Sequence, residues 1–214
     1  MTTTTERAHR PALARRLLRM EWNIWRSLAL WVTRRRPGEA PATLAFPYSR
    51  DVTPLLLAFL FASLLELPVF HLLLPWEAVR IAALLLGLWG LLWMLGYIAA
   101  MRVFPHLLDD RGLRVRHGAA VDLVVPWEAI ASVRTERDNV PRNDPLQFTV
   151  GPEGTIARVA ILKQTRVTVE LRAPLRLSYR DDPREVIAVK LAVDDPAGFA
   201  RAARARLSPG LAAG

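Results

Sequence analysis

The chain contains no cysteine. That absence excludes disulfides, thiolate metal sites and cysteine nucleophiles, and it leaves the redox compartment open, because a cysteine-free chain tolerates either one. The four histidines, His9, His71, His106 and His117, are scattered, and no two stand four residues apart as a helical metal pair would. A P-loop, a dinucleotide-binding glycine pattern and a nucleophile elbow are all missing. The acidic pairs Asp109-Asp110, Asp181-Asp182 and Asp194-Asp195 fall at turn or cap signals, where aspartate bonds to local backbone. The chain therefore reads as non-enzymatic, with no metal and no cofactor. A pI near 11.1 could point to nucleic acid, but zinc-finger spacing, an RNA-binding aromatic motif and a helix-turn-helix pattern are absent too, so nucleic acid is not the expected partner.

What the chain does have is segregated. Hydrophobic residues make up 52% and charged residues 23% of its 214 positions, which implies an apolar part and an aqueous part rather than a mixture. Residues 1–50 carry ten arginines against Glu6, Glu21 and Glu39, a net +7. Residues 51–101 are at −2 and residues 102–214 at +4. The basic excess lies beside the apolar stretch.

Ile81 to Met101 has no charged side chain and is bounded by Arg80 and Arg102. At ~1.5 Å per residue it reaches about 30 Å, the thickness of a hydrocarbon core. Val52 to Leu74 is the weaker partner, interrupted by Glu66, Pro68 and His71. Its Leu, Phe and Val residues, at about −0.3 to −0.6 kcal/mol each, outweigh one carboxyl at about +2.5 to +3.5 kcal/mol. Only Pro75 to Arg80 separates the two, so they form a hairpin whose ends emerge on one side. Arginines crowd before the first span and again at Arg102, Arg111, Arg114 and Arg116, while the loop has Arg80 alone. The positive-inside rule places both termini in the cytoplasm of a multi-pass cell-membrane protein. The residues before Val52 are basic and Trp-containing rather than a cleavable signal, so the first span acts as its own targeting signal.

Between Pro11 and Arg36, ~100° steps collect Leu13, Leu17, Met20, Ile24, Leu28, Trp31 and Val32 on one face. Arg15, Arg16, Arg19, Asn23, Arg26, Thr33 and Arg34 fall opposite, with Trp22 and Trp25 at the shoulder. The pattern predicts a helix lying in the inner leaflet, with Arg15, Arg16, Arg19, Arg26, Trp22 and Trp25 binding anionic lipid headgroups. The competing reading packs the apolar face on the aqueous domain and leaves the arginines solvated. Pro37, Gly38, Pro41 and Pro47 then make a stiff link to the first span. Inside the hairpin, Glu66, His71 and Trp89 are the polar candidates. Glu66 is expected level with Leu88, facing the second helix or a copy of it, either fixing helix packing through the Trp89 indole or serving an ion or proton.

After Met101 short β-like segments replace the long apolar runs: Gly112 to Arg116, Ala120 to Trp127, Ala129 to Glu136, Arg158 to Lys163, Arg166 to Arg172 and Val186 to Val193. Turn signals at His117-Gly118, Ala173-Pro174 and Asp181-Asp182-Pro183 suggest a meander of antiparallel strands. Arg137 to Ile156 reads as a long loop, with Leu146 to Val150 as a possible seventh strand. Asp194-Asp195-Pro196 reads as the capped start of a last helix.

A hairpin followed by Arg111-Gly112-Leu113-Arg114-Val115-Arg116, then Val125-Pro126-Trp127-Glu128-Ala129-Ile130, then a terminal Asp-Asp-Pro helix, resembles bacterial membrane proteins with a pleckstrin-homology-like domain. The resemblance, over residues 52 to about 207, implies a bent antiparallel seven-stranded β-barrel or sandwich capped by one C-terminal helix; it carries over no catalytic residues. The expected plan is a membrane α-helical hairpin plus an α+β domain: 1–51 amphipathic helix and link, 52–101 hairpin (spans 52–74 and 81–101), and 102–214 cytoplasmic β-domain. Two functions follow as expectations. One is a binding module at the cytoplasmic face for a protein partner or anionic lipid, set in the lipid bilayer and paired with a protein partner or a second copy. The other is a small subunit of a transport or envelope-maintenance complex that uses Glu66 and His71.

Overall fold

The computed structural model describes residues 4–35, 37–38, 42–142, 144–179 and 182–207, and of residues 4–17 the backbone alone. Three long helices come first: α1 (Thr4–Val32), α2 (Thr53–Leu73) and α3 (Glu77–Val103), with a three-residue strand β1 (Leu44–Phe46) between α1 and α2. Both α2 and α3 are long and apolar enough to cross a membrane. Pro54 sits in the first turn of α2, where its missing N–H is not needed. Pro68 lies inside the helix, a placement that spanning helices tolerate. None of α2 is buried: Leu56, Leu60, Ser63 and Leu67 are half-covered, and their 4-3-4 spacing is the seam against α3. Leu67 meets Gly87, and Val52 clusters with Met101 at the other end, so the two helices run antiparallel.

The remaining elements form an α+β domain. Strands β1, β2 (His106–Leu108), β3 (Gly112–His117) and β4 (Val121–Pro126) make one antiparallel sheet in that order. Strands β5 (Ile130–Asn139), β6 (Gln147–Gly151), β7 (Gly154–Val159), β8 (Gln164–Tyr179) and β9 (Asp182–Leu191) make a second, ordered β5-β8-β9-β7-β6. Alternation drives both: Val121, Leu123 and Val125 point inward while Asp122 and Val124 point out. One core joins the sheets, with Leu113, Val115 and Val125 from the first and Val133, Val169 and Leu191 from the second. Helix α4 (Pro196–Leu207) closes it, burying Phe199 completely against the edge of the Phe46 ring. That burial contributes about 2 to 3 kcal/mol. As its sequence signals, α4 starts on a cap: the Gly198 N–H donates to Asp195 Oδ1 at 2.9 Å, with Pro196 next.

Several sequence expectations need correction. The link before the first span contains β1, which pairs with β2, so the β-domain is not confined to 102–214. β1 and β2 are three residues each, too short for a period to register; β1 exists because β2 supplies its hydrogen bonds, and β2 is held between β1 and β3. Ala173-Pro174 is no turn. β8 runs through it, and the ladder with β9 slips between Glu170 and Leu175, where a residue without an N–H does no harm. The expected loop Arg137 to Ile156 holds the end of β5, all of β6 and the start of β7. Nor is the sheet a pure meander, since β7 pairs with β9 in parallel. Asp181 of the third turn signal lies outside the described residues, and Asp182 and Pro183 open β9.

Candidate functional site

Residues 47–52 of the link, the turn from α3 into β2, and the β3–β4 turn converge on a buried polar joint. His106 is its centre. The Arg116 N–H donates to His106 Nδ1 at 3.0 Å, which leaves the proton on Nε2 to donate to the Ala192 carbonyl at 2.9 Å. The Tyr48 ring lies against His106 (centroids 4.7 Å apart) and stacks on His117 (5.8 Å). Its hydroxyl accepts the Gly118 N–H at 2.6 Å. Gly118 has φ of +52°, a conformation suited to glycine, and its α-carbon faces Ala100, which seats the β3–β4 turn on the end of α3. Burial disfavours the charged forms, pushing His106 down to about 3, His117 down to about 4, and the Tyr48 phenol up. Asp194 completes the joint: it accepts the Arg50 N–H at 3.0 and 3.2 Å, while its own N–H donates to the Pro47 carbonyl at 2.9 Å. Arg166 pairs with Asp51 across the same boundary. Arg116 reaches back to the Pro37 carbonyl at 3.0 Å and Arg206 to the Ala42 carbonyl at 3.1 Å, fixing the link on the domain. The chemistry of this joint is structural: the buried rings of His106, His117 and Tyr48, rimmed by Asp194 and the Arg166–Asp51 pair, hold the β-domain to the helices.

α1 packs against α3 rather than lying free. A Cβ on Gly96 would stand 2.9 Å from the Ile24 carbonyl oxygen, so glycine is what lets the two backbones approach. Ile24 and Ser27 are buried there. Gly87 and Gly96 are nine residues apart, about 180° around the helix, so α2 and α1 occupy opposite faces of α3. Seven residues beyond Ile24, Trp31 shares a cavity wall with Val103, seven beyond Gly96, so α1 and α3 run in the same direction. Met20 and Trp89 also fall on the α1–α3 side by helical spacing, and they are 49% and 47% exposed.

At the other end, where both helices stop, an open cavity of about 890 Å³ forms. Leu30, Trp31, Val32 and Val103 give it apolar walls, Pro47 and Ser49 supply the link side, and Arg34, Arg35 and Arg102 supply three positive charges. Among the described residues no carboxylate lines it. Among the described residues none of these three guanidiniums has a hydrogen-bond or ion-pair partner, and all three residues are exposed. Arg34 and Arg35 come together with Arg102 only because α1 and α3 end side by side.

The residues singled out from sequence fall differently. Arg19, Trp22 and Arg26 share the outer face of α1, away from α3, with Trp22 69% exposed. Trp22 is therefore opposite Ile24, not at the shoulder of the packed face. Trp25 donates its indole N–H to Glu21 Oε2 at 3.1 Å. The side chains of Leu13, Arg15, Arg16 and Leu17 lie outside the described residues. The helix itself starts at Thr4, ahead of Pro11. Glu66 does not face α3 within the chain. It stands one position off the seam, Leu67 takes the place beside Gly87, and Glu66 is exposed. His71, five residues on, is about 140° away around α2, and Trp89 lies across α3 from Gly87, so the three polar candidates are not brought together. Among the described residues no group of three or more His, Asp or Glu is placed to hold a metal ion. Comparison of the chain with protein families, with curated proteins and with solved structures finds no match.

Proposed function

We propose that the chain is a non-enzymatic integral membrane protein that presents a pleckstrin-homology-like binding module at the cytoplasmic face. The observation that carries this reading is the joint. Buried contacts from His106 and Tyr48, with a more exposed one from Asp194, lock the β-domain onto the ends of two helices whose outer surfaces are apolar and exposed. A domain so held keeps one orientation relative to the bilayer, which suits recognition at the membrane surface. Two sheets sharing one core and closed by α4 support the pleckstrin-homology-like assignment. The parallel β7–β9 pair and the short β1–β2 pair extend that plan beyond seven strands. The test is topology: a reporter after Gly214 reads cytoplasmic and one inserted at Glu77 reads external, and both on one side overturns the reading.

Glu66 favours a second reading, a subunit of a larger membrane complex, because a carboxyl at hydrocarbon depth with no partner among the described residues calls for one in another chain. Glu66→Gln keeps shape and hydrogen bonding, whereas Glu66→Leu keeps neither. Loss of function in a stably inserted Glu66→Gln protein supports an ion or proton role. Intact function there, with impaired membrane assembly in Glu66→Leu, assigns Glu66 to packing.

A further inference from the structure

We propose that the cavity where α1 and α3 end is a binding site for the phosphate of an anionic phospholipid headgroup, held by Arg34, Arg35 and Arg102. The inference rests on the reading that α2 and α3 cross a bilayer, and it gives the surface module a ligand. Arg102 closes the charge-free run of α3, so the cavity sits at the level where hydrocarbon gives way to headgroups. About 890 Å³ is ample for a headgroup and its glycerol. The wall composition fits as well, with guanidiniums for phosphate oxygens and Trp31 and Val32 for the start of an acyl chain.

The end of α1 adds a second signal. Arg35 N–H donates to the Leu30 carbonyl at 2.9 Å and Arg34 N–H to the Trp31 carbonyl at 3.1 Å, the paired bonds of a Schellman stop. The residue after the cap in that motif is left-handed and usually glycine, yet here it is Arg34 at φ +54°. A bulky, charged side chain is thus kept in a conformation that disfavours it, and Arg34 lines the cavity. Capping does not explain the side chains, because backbone N–H groups already make both bonds. Both helices point their C-terminal ends here, each with about half a negative charge. Three full positive charges exceed that, so the net field still draws an anion.

The test uses the full-length chain purified in mild detergent, offered phosphatidylglycerol or phosphatidylcholine, with retained lipid counted by native mass spectrometry. Wild type should keep one phosphatidylglycerol in preference to phosphatidylcholine, and excess inorganic phosphate should leave it in place. The R34Q/R35Q/R102Q variant should lose affinity by roughly 100-fold. R34G guards against misfolding: glycine suits the left-handed cap, so this variant should melt at or above the wild-type temperature while binding roughly fivefold more weakly. Equal retention of the two lipids, or wild-type binding by R34G and the triple variant, overturns the site. Displacement by inorganic phosphate overturns the lipid assignment in favour of a free-anion pocket. Release of the wild-type chain from native membranes by alkaline carbonate removes the bilayer reading beneath it, a failure distinct from the other two.

Discussion

His106 and His117 occupy the joint as neutral rings, and that protonation state sets how the fold responds to acid. In an unfolded chain each takes up a proton near pH 6.5. In the folded joint His106 does so at about 3 and His117 at about 4, because burial disfavours the charged ring. The unfolded state therefore binds more protons once the pH drops below about 6.5, and the stability present above that value drains as pH falls toward the folded values. Two such groups remove roughly 2 to 3 kcal/mol between pH 7 and pH 5.5. Burial raises the Asp194 carboxyl, which acts in the opposite sense, and the double histidine variant separates the two contributions. Tryptophan-fluorescence melts should hold steady between pH 8 and 7 and fall clearly by pH 5.5. A His106→Gln/His117→Gln variant, less stable at pH 7, should lose that fall. A wild-type melt that does not move between pH 7 and 5.5 would refute the account. Neither histidine could be assigned this role from sequence, since the groups that bury them, Tyr48 and Ala192, come from before the hairpin and from the end of β9.

At the scale of elements, legibility followed periodicity and length. The apolar runs of α2 and α3 and the Asp195 cap of α4 are local signals, and each element stands where its signal lies. β8 is a half-success: its alternation from Arg166 to Arg172 was readable, but Pro174 looked like an end because nothing local reveals that the ladder slips there. The packing of α1 was hidden for a related reason. Its apolar face was legible, yet the partner is Gly96, one of three glycines in the apolar run of α3, and nothing local says which helix approaches which glycine. The contact makes a sharp prediction. Gly96→Leu puts side-chain atoms where the Ile24 backbone already lies, and overpacking of that kind costs about 1 to 3 kcal/mol. Gly90→Leu, with nothing within 4 Å of its added Cβ, is the control. Protease accessibility of residues 18–32 should rise in the first variant and stay at the wild-type level in the second; equal cleavage of both would sink the proposed α1–α3 contact.

For the whole molecule, on the proposal that α2 and α3 cross a bilayer, the decisive quantity is which way they do so. Arginines cluster at residues 1–50 and again from Arg102 onward, so both ends of the hairpin are expected on the cytoplasmic side. The structure adds a constraint on α1, because it runs in the same direction as α3 where the two touch. Followed backwards along α3, it would carry Arg19 about 16 Å below the level of Arg102, taking five residues from Ile24 and six from Gly96 at ~1.5 Å each. A charged residue that deep and unpaired is expensive. A tilt that brings the outer face of α1 to the headgroup layer would keep Arg19, Trp22 and Arg26, which share that face, out of the hydrocarbon. Reporters fused before Met1 and after Gly214 should then both read cytoplasmic, with one at Glu77 external. An external reading at Met1 with a cytoplasmic one at Gly214 would make α1 a third crossing and place its arginines in the bilayer, and an external Gly214 would invert the orientation on which the binding-module proposal depends.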